Sequence, residues 1–244
     1  MTFDEYFGRW SKVIDKVELY KILAILYRIK DNICPEYSNI FRAFNLCKYD
    51  DCKVVFIGYD PYPQKGVATG ILFGNNKTND ENLSPSLEVI KECVINLEIP
   101  HKIITFDNSL ESWAKQGILM LNSALTCEVN KVGSHTNLWR PFMTKLIKNL
   151  SCETGLIYVL FGSNAKTLKP YIDKNYNDII EVEHPAYYAR LNKTMPYNVF
   201  TDINKLLKNR YNTTIKWYNE YYFKFELIWT MNLEKKLWLP ILQQ

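Results

Sequence analysis

The sequence predicts an α/β fold, a parallel sheet wrapped by helices. Two observations carry this. Four short strand-like runs, over residues 53–58, 118–122, 156–161 and 178–182, the first three apolar, each end in a polar residue beside a turn former. Helical signals separate most of them, and strands alternating with helices pair in parallel. Parallel strands would bring those polar ends to one rim, where open α/β sheets place their chemistry.

The elements follow in chain order. Residues 3–30 carry helical periodicity, with Val13, Val17, Tyr20, Leu23, Ala24 and Tyr27 on one stripe. The first core strand, 53–58, breaks at Gly58 and presents Asp60 and Tyr62 around Pro61, whose ring fixes φ. Ser84 can cap a helix with Pro85 at its first position, running to about Leu97. A short helix over 110–116 ends at Gly117, a residue suited to a C-terminal cap. Strand 118–122 ends in the carboxamide of Asn122. A helix over about 138–150 precedes strand 156–161, which closes on Gly162 and Ser163. Another helix over 163–175 leads to strand 178–182, then to Glu183, His184 and Pro185. The last helix covers about 197–209. No internal repeat or low-complexity linker interrupts the chain.

Length and composition bound the function. The 244 residues suit one α/β domain with an ample core. Hydrophobic residues make up 47% and charged residues 23%, the mix of a soluble globular protein. A net charge of +4 permits a nucleic-acid partner without demanding one. The six cysteines form no C-x-x-C pair and no histidine clusters with them, so neither a zinc nor an iron–sulfur site is expected, and no cofactor. They sit mostly in apolar contexts, as buried free thiols do. Asp4 and Glu5 come early and no leader-type apolar run follows. No run approaches the ~18 apolar residues of a membrane span. The expected place is the cytoplasm, or the nucleus of a eukaryotic or virus-infected cell.

The motifs at the strand ends resemble those of the uracil-DNA glycosylase family. GYDPYP at 58–63 is similar to that family's water-activating motif, usually GQDPYH. TGILF at 69–73 resembles the segment carrying a base-stacking phenylalanine. SPSLEVIKE at 84–92 resembles the loop that pinches the DNA backbone, and SWAKQGILMLNSALT at 112–126 follows the family pattern almost letter for letter. GSH at 133–135, LFGSNA at 160–165, EHP at 183–185, FTDINKLL at 200–207 and IKW at 215–217 follow in the expected order. Each motif is weak alone; in order over residues 8–218 they are specific.

The resemblance implies a central four-stranded parallel sheet flanked by helices, a three-layer sandwich. It implies a metal-independent, monofunctional enzyme that flips uracil out of single- or double-stranded DNA and hydrolyses its glycosidic bond. In that reading Asp60 positions water and offers negative charge to a cationic sugar, as in glycoside hydrolysis. His184 hydrogen-bonds uracil O2 as charge builds there, a task a neutral imidazole can perform. Asn122 accepts from N3–H and donates to O4, a pattern cytosine reverses. Tyr62 stands against C5 and excludes the thymine methyl, Phe73 stacks on the ring, and the backbone at Tyr59 touches the base. Ser86, Ser134, His135 and Ser163 are implied phosphate contacts, which position the strand without reading sequence. Pro185, Ala186 and Tyr188 form the segment that fills the vacated stack, with Tyr188 where the family usually has a leucine wedge. A monomer is implied, with a proteinaceous glycosylase inhibitor as a further partner.

The chain departs from the pattern at Tyr59 for Gln, Pro63 for His, and Ala186 for Ser. The GxDPYP form also resembles the poxvirus branch, which doubles as a polymerase processivity subunit. A second reading therefore stays open: a weakly active or inactive DNA-binding subunit of a viral or mobile-element replication complex. Pro63 and the tail favour it; intact Asp60, Asn122 and His184 oppose it. A third reading is a viral or mobile-element glycosylase whose altered rim engages inhibitors differently.

Residues 1–222 form the expected domain, and 223–244 a C-terminal extension that packs on it or docks a partner. In that tail Phe223, Phe225, Leu227 and Trp229 alternate with Lys224, Glu226, Ile228 and Thr230, as a half-buried strand would. Residues 237–242 are strongly apolar. Packing on the domain is the favoured outcome, since each large apolar chain buried contributes ~1.5–3 kcal/mol. Truncation after Tyr222 is then expected to lower the melting temperature and promote aggregation. A truncated protein that melts like the full chain and loses only a partner in a pull-down would show a docking element instead.

Overall fold

The computed structural model describes residues 1–76, 83–95, 103–196 and 198–221. The extension over 223–244 and the end of the expected helix at 96–97 lie outside the described residues. In chain order the elements are helices α1 (Phe3–Phe7) and α2 (Lys16–Arg28), strand β1 (Ile33–Cys34), α3 (Arg42–Leu46), β2 (Val54–Gly58), α4 (Pro85–Ile95), β3 (Ile103–Thr105), α5 (Glu111–Ala114), β4 (Ile118–Asn122), β5 (Cys127–Glu128), α6 (Thr136–Leu150), β6 (Ile157–Phe161), α7 (Gly162–Lys166), β7 (Asp178–Val182), α8 (Pro185–Leu191), α9 (Asn198–Tyr211) and β8 (Asn219–Tyr221). The central sheet has four strands in the order β4-β2-β6-β7. All three pairings are parallel. Two antiparallel pairs, β1 with β5 and β3 with β8, lie outside it.

Strand parity divides the interior in two. Val55, Ile57, Leu119, Leu121, Tyr158 and Leu160 face one core, filled by α2, α3 and α6 through Leu19, Leu26, Phe44, Trp139, Phe142 and Leu146. Val54, Phe56, Ile118, Met120, Ile157 and Val159 face the other, filled by α4, α5 and α9 through Leu87, Ile90, Trp113, Phe200 and Ile203. Both faces of β2, β4 and β6 are buried, which explains their unbroken apolar runs. Each large side chain so buried contributes ~1.5–3 kcal/mol. Trp217 closes the second core, its carbonyl accepting from Trp113 Nε1–H at 2.9 Å. This three-layer arrangement is the expected one.

Three expectations are corrected. Residues 3–30 are not one helix: the chain turns at Gly8, with φ +53, and α2 begins afresh where Asp15 accepts from the Glu18 N–H at 2.8 Å. Nor do Val17, Tyr20 and Tyr27 face the core. Val17 is 67% and Tyr27 61% exposed, while Leu19, Ile22 and Leu26 are buried. Both sets have helical spacing, and the compact aliphatic set fits the interior. The tyrosines find partners at the surface: Tyr20 meets Phe3 and Tyr27 meets Tyr37 edge-on. The helix expected over 163–175 is α7 followed by a separate 3₁₀ turn, Lys169–Tyr171. Pro170 has no N–H to continue the helix. Among the described residues no helix is long and apolar enough to cross a membrane.

Register sets the rim. Gly58 lies beside Asn122 across β2 and β4, and Phe161 beside Val182 across β6 and β7. All four strands therefore run out on the same side. Gly58 is where a side chain cannot be accommodated: an added Cβ would collide with Leu72 and stand 3.1 Å from Asn122 Oδ1. Gly58→Ala is expected to cost about 1–3 kcal/mol by overpacking. Urea unfolding checks this; an unchanged midpoint would show that the Leu72 side of the rim is soft.

Candidate active site

At the carboxyl ends of the strands the structure encloses a cavity of about 460 Å³, within the range of small-molecule sites. Its lining includes Tyr59, Asp60, Tyr62, Phe73, Asn122 and His184.

The segment after β2 is tied down before it reaches the cavity. The Tyr59 carbonyl accepts from the Ser123 hydroxyl at 2.8 Å and the Ala124 N–H at 3.0 Å, joining it to the exit of β4. Asp60 Oδ2 accepts from the Gly133 N–H at 2.6 Å. Burial pushes the Asp60 pKa above its ordinary value, and the Gly133 N–H opposes that shift. The Tyr62 hydroxyl donates to the Phe73 carbonyl at 3.1 Å, and burial raises its pKa too. Phe73 sits at φ +62, a conformation a bulky residue seldom adopts. Its ring stands edge-on to Phe161 at 5.2 Å and tilted against His184 at 5.5 Å.

Asn122 is buried, at 8% exposure. Its Oδ1 has no hydrogen-bond partner among the described residues. A buried amide oxygen left unpaired costs ~1–3 kcal/mol, so a site that keeps one is built to receive a donor.

His184 caps α8. Its Nδ1 accepts from the Ala186 N–H at 3.2 Å. The neutral ring therefore carries its hydrogen on Nε2. Burial first, and the Arg190 cation second, push its pKa down to about 4. The imidazole is neutral at physiological pH. Gly162, at φ +82, lets β6 pass close behind it; a Cβ there would stand 2.8 Å from His184 Cβ. The site thus presents a carboxylate, an unpaired amide oxygen and a neutral N–H donor around one cavity.

The other expected residues divide. Ser86, Ser163 and Ala186 also line the cavity; Ser134, His135, Pro185 and Tyr188 do not. Ser134 is exposed, with its Oγ accepting from the Glu128 N–H at 2.7 Å. Pro185 is buried at the first position of α8. His135 is 6% exposed, with Nδ1 2.8 Å from Thr126 Oγ1, which also accepts from Trp139 Nε1–H. Tyr188 is half-buried and lines a groove with Pro85, Glu88, Val89 and Glu92 of α4. Its neighbour Tyr187 is the exposed ring. Sequence reasoning missed two contributors. Gly133 acts through its backbone, which leaves no side-chain signal. Arg190 lies one helical turn beyond Ala186, so the helical period of α8 could have pointed to it.

Fold and site define a parallel-sheet α/β protein with an amide-lined cavity at its carboxyl rim. The chain belongs to the uracil-DNA glycosylase superfamily, whose family model matches residues 44–208. It is 35% identical over 215 residues to a uracil-DNA glycosylase of Aliarcobacter butzleri, covering 87% of this chain and 94% of that one. It is 32% identical over 222 residues to one from Fusobacterium nucleatum, covering 85% and 94%. Among solved structures, mimivirus uracil-DNA glycosylase superposes with a TM-score of 0.68 at 24% identity, over 89% of this chain and 93% of that one. A variant of mimivirus UNG in complex with UGI superposes with a TM-score of 0.70 at 26% identity, over 88% and 86%.

The histidine geometry has a pH signature. The folded pKa of about 4 lies below the ordinary 6.5, so between these values the unfolded chain takes up a proton that the folded site refuses. Stability contributed by His184 is full above about 6.5 and is lost as pH falls toward 4. ¹⁵N NMR of the imidazole is expected to show the Nε2–H tautomer at pH ~6. A midpoint near 6.5 would mean that the ring is not buried as described.

Proposed function

We propose that this protein hydrolyses the N-glycosidic bond of deoxyuridine in DNA, releasing free uracil and leaving an abasic site. The observation that carries this reading is the buried, unpaired Oδ1 of Asn122 in a cavity that also holds a neutral imidazole donor. Uracil supplies what that oxygen lacks, an N3–H donor, and its O4 can take the amide N–H. Cytosine offers an acceptor at that ring nitrogen and would leave the Asn122 oxygen unpaired. Phe73 supplies a ring face for stacking, and Tyr62 fills the space where a C5 methyl would lie. The base must leave the duplex to enter.

The chemistry follows from charge. Bond cleavage leaves a cationic sugar and an anionic uracil. The Asp60 carboxylate offsets the first and orients water toward C1′, as carboxylates do in glycoside hydrolysis. The His184 Nε2–H donates to O2 as negative charge gathers there, strongest when it matters and with no reorganisation. Ser86 and Ser163, at the cavity lining, are suited to the flanking phosphates, which set register alone. The UGI complex of the mimivirus relative supports a protein inhibitor as a further partner of this rim. The working form is a monomer in the compartment that holds the DNA.

Release of free uracil from a uracil-containing oligonucleotide tests the reading. Full activity is expected in excess EDTA, since among the described residues no group of three or more His, Cys, Asp or Glu side chains could hold a metal ion. Asp60→Asn is expected to lower the single-turnover rate ~10²-fold or more. No uracil release by the wild type, or an undiminished Asp60→Asn, would sink it.

A further inference from the structure

We propose that Tyr59 is a positioning residue: its ring clamps the turn at Gly133, and through it the Gly133 N–H that holds the Asp60 carboxylate. The inference rests on the glycosylase reading for the role of Asp60, and on contacts that no motif describes.

Gly133 adopts φ +73, and a Cβ built on it would collide with the Tyr59 hydroxyl and stand 3.2 Å from Cζ. The Tyr59 hydroxyl, with Cζ behind it, therefore fills the space beside the Gly133 backbone. That same residue's N–H reaches Asp60 Oδ2 at 2.6 Å. One side chain thus covers the Cα of the residue whose amide holds its sequence neighbour.

The contact is part of a longer seam. The Pro63 carbonyl accepts from the Asn130 N–H at 2.9 Å, and the Pro61 carbonyl from the Cys127 thiol at 3.5 Å. Residues 59–63 and 127–133 are joined at these points along their length. The turn also has bonds of its own, Lys131 N–H to the Glu128 carbonyl at 3.0 Å, Glu128 N–H to Ser134 Oγ at 2.7 Å and Thr136 N–H to the Gly133 carbonyl at 3.1 Å, with Asn130 at φ +61. The Tyr59 contact adds to these at the one residue whose N–H reaches Asp60. The glutamine usual at position 59 has no ring to lay over Gly133. Both departures in the strand-end motif, Tyr59 and Pro63, fall on this seam.

The consequence reaches the chemistry through geometry first. A carboxylate displaced by a fraction of an ångström misaims its water, and such misplacement can cost up to ~10²-fold. It also reaches the protonation of Asp60, which burial raises and the Gly133 N–H lowers. The titratable or charged groups sharing this space are few. The Cys127 thiol is pushed up to about 12 by burial and by Asp60 itself. The Tyr62 phenol is raised by burial, and His184 is neutral. Arg190 carries the remaining charge in the cavity lining. The Asp60 backbone N–H also lowers the Asp60 pKa, so loss of the Gly133 bond removes the larger of two opposing hydrogen bonds.

The test compares wild type with Tyr59→Ala, Tyr59→Leu and Tyr59→Phe in the full chain. Single-turnover uracil release is followed against pH, alongside inhibition by free uracil and the ¹³C titration of the Asp60 carboxyl carbon. Tyr59→Ala and Tyr59→Leu are expected to lower the plateau rate ~10-fold. They are expected to move the acid limb and the Asp60 midpoint to higher pH by about half a unit or more. The inhibition constant of free uracil should change less than about twofold, because the clamp does not touch the base. Tyr59→Phe keeps the ring and loses the hydroxyl nearest Gly133, so its Asp60 midpoint should lie between those of the wild type and Tyr59→Ala. An unmoved midpoint in both Tyr59→Ala and Tyr59→Leu overturns the clamp, whatever happens to rate or melting. So does a loss of uracil affinity as large as the loss of rate, which would make Tyr59 a base contact. If the wild type releases no uracil the glycosylase reading falls, and the carboxyl titration still decides the clamp.

Discussion

Strands β4, β2 and β6 bury both faces, and this constraint holds the rest of the molecule in place. A one-residue slip in any pairing would exchange the two cores, sending Phe56 or Tyr158 to the face shaped for the other set. Register is therefore rigid, and with it the level at which each strand ends. Gly58 and Asn122 come out side by side, and the exits of β6 and β7 stand next to them. The site is assembled from residues far apart in sequence, on positions that the sheet cannot yield without losing both cores.

Burial then acts in opposite senses on the two ionisable groups that matter. It raises Asp60 and lowers His184, because in each case it disfavours the charged form. For Asp60 the Gly133 N–H counters the penalty. For His184 nothing does, and Arg190 adds to it. The outcome is one anion and one neutral donor facing the same space, which suits separation of a cationic sugar from an anionic base. An imidazolium in that place would instead have to be created against both burial and a neighbouring cation.

Local strain at the rim has a common purpose. Phe73 and Gly162 both occupy left-handed backbone, and both place a ring or an imidazole within reach of the same cavity. Phe73 is held there by the Tyr62 hydroxyl on its carbonyl, and by the Phe161 ring. Unfavourable conformations persist where several contacts converge on them.

Much of this was legible in the linear sequence. Unbroken apolar runs marked doubly buried strands, and alternation with helices marked their parallel order. The strand ends carried Asp60, Asn122 and His184, because a residue that must reach a rim has to follow its strand directly. Other features are settled by partners distant in sequence. The inward face of α2 was misread, since Val17, Tyr20 and Tyr27 share the helical period with Leu19, Ile22 and Leu26, and only the space beneath the helix separates the two sets. Tyr188 occupies the expected motif position, and the packing of α8 on α4 gives it a groove shared with Pro85, Glu88, Val89 and Glu92. His135 sits in a motif that suggested a phosphate contact, while Thr126 and Trp139 draw it inside. The charge state of His184, the empty valence of Asn122 and the contact of Tyr59 with Gly133 exist only in three dimensions. They depend on burial and approach distance, quantities that a residue acquires from its neighbours and that its own identity does not contain.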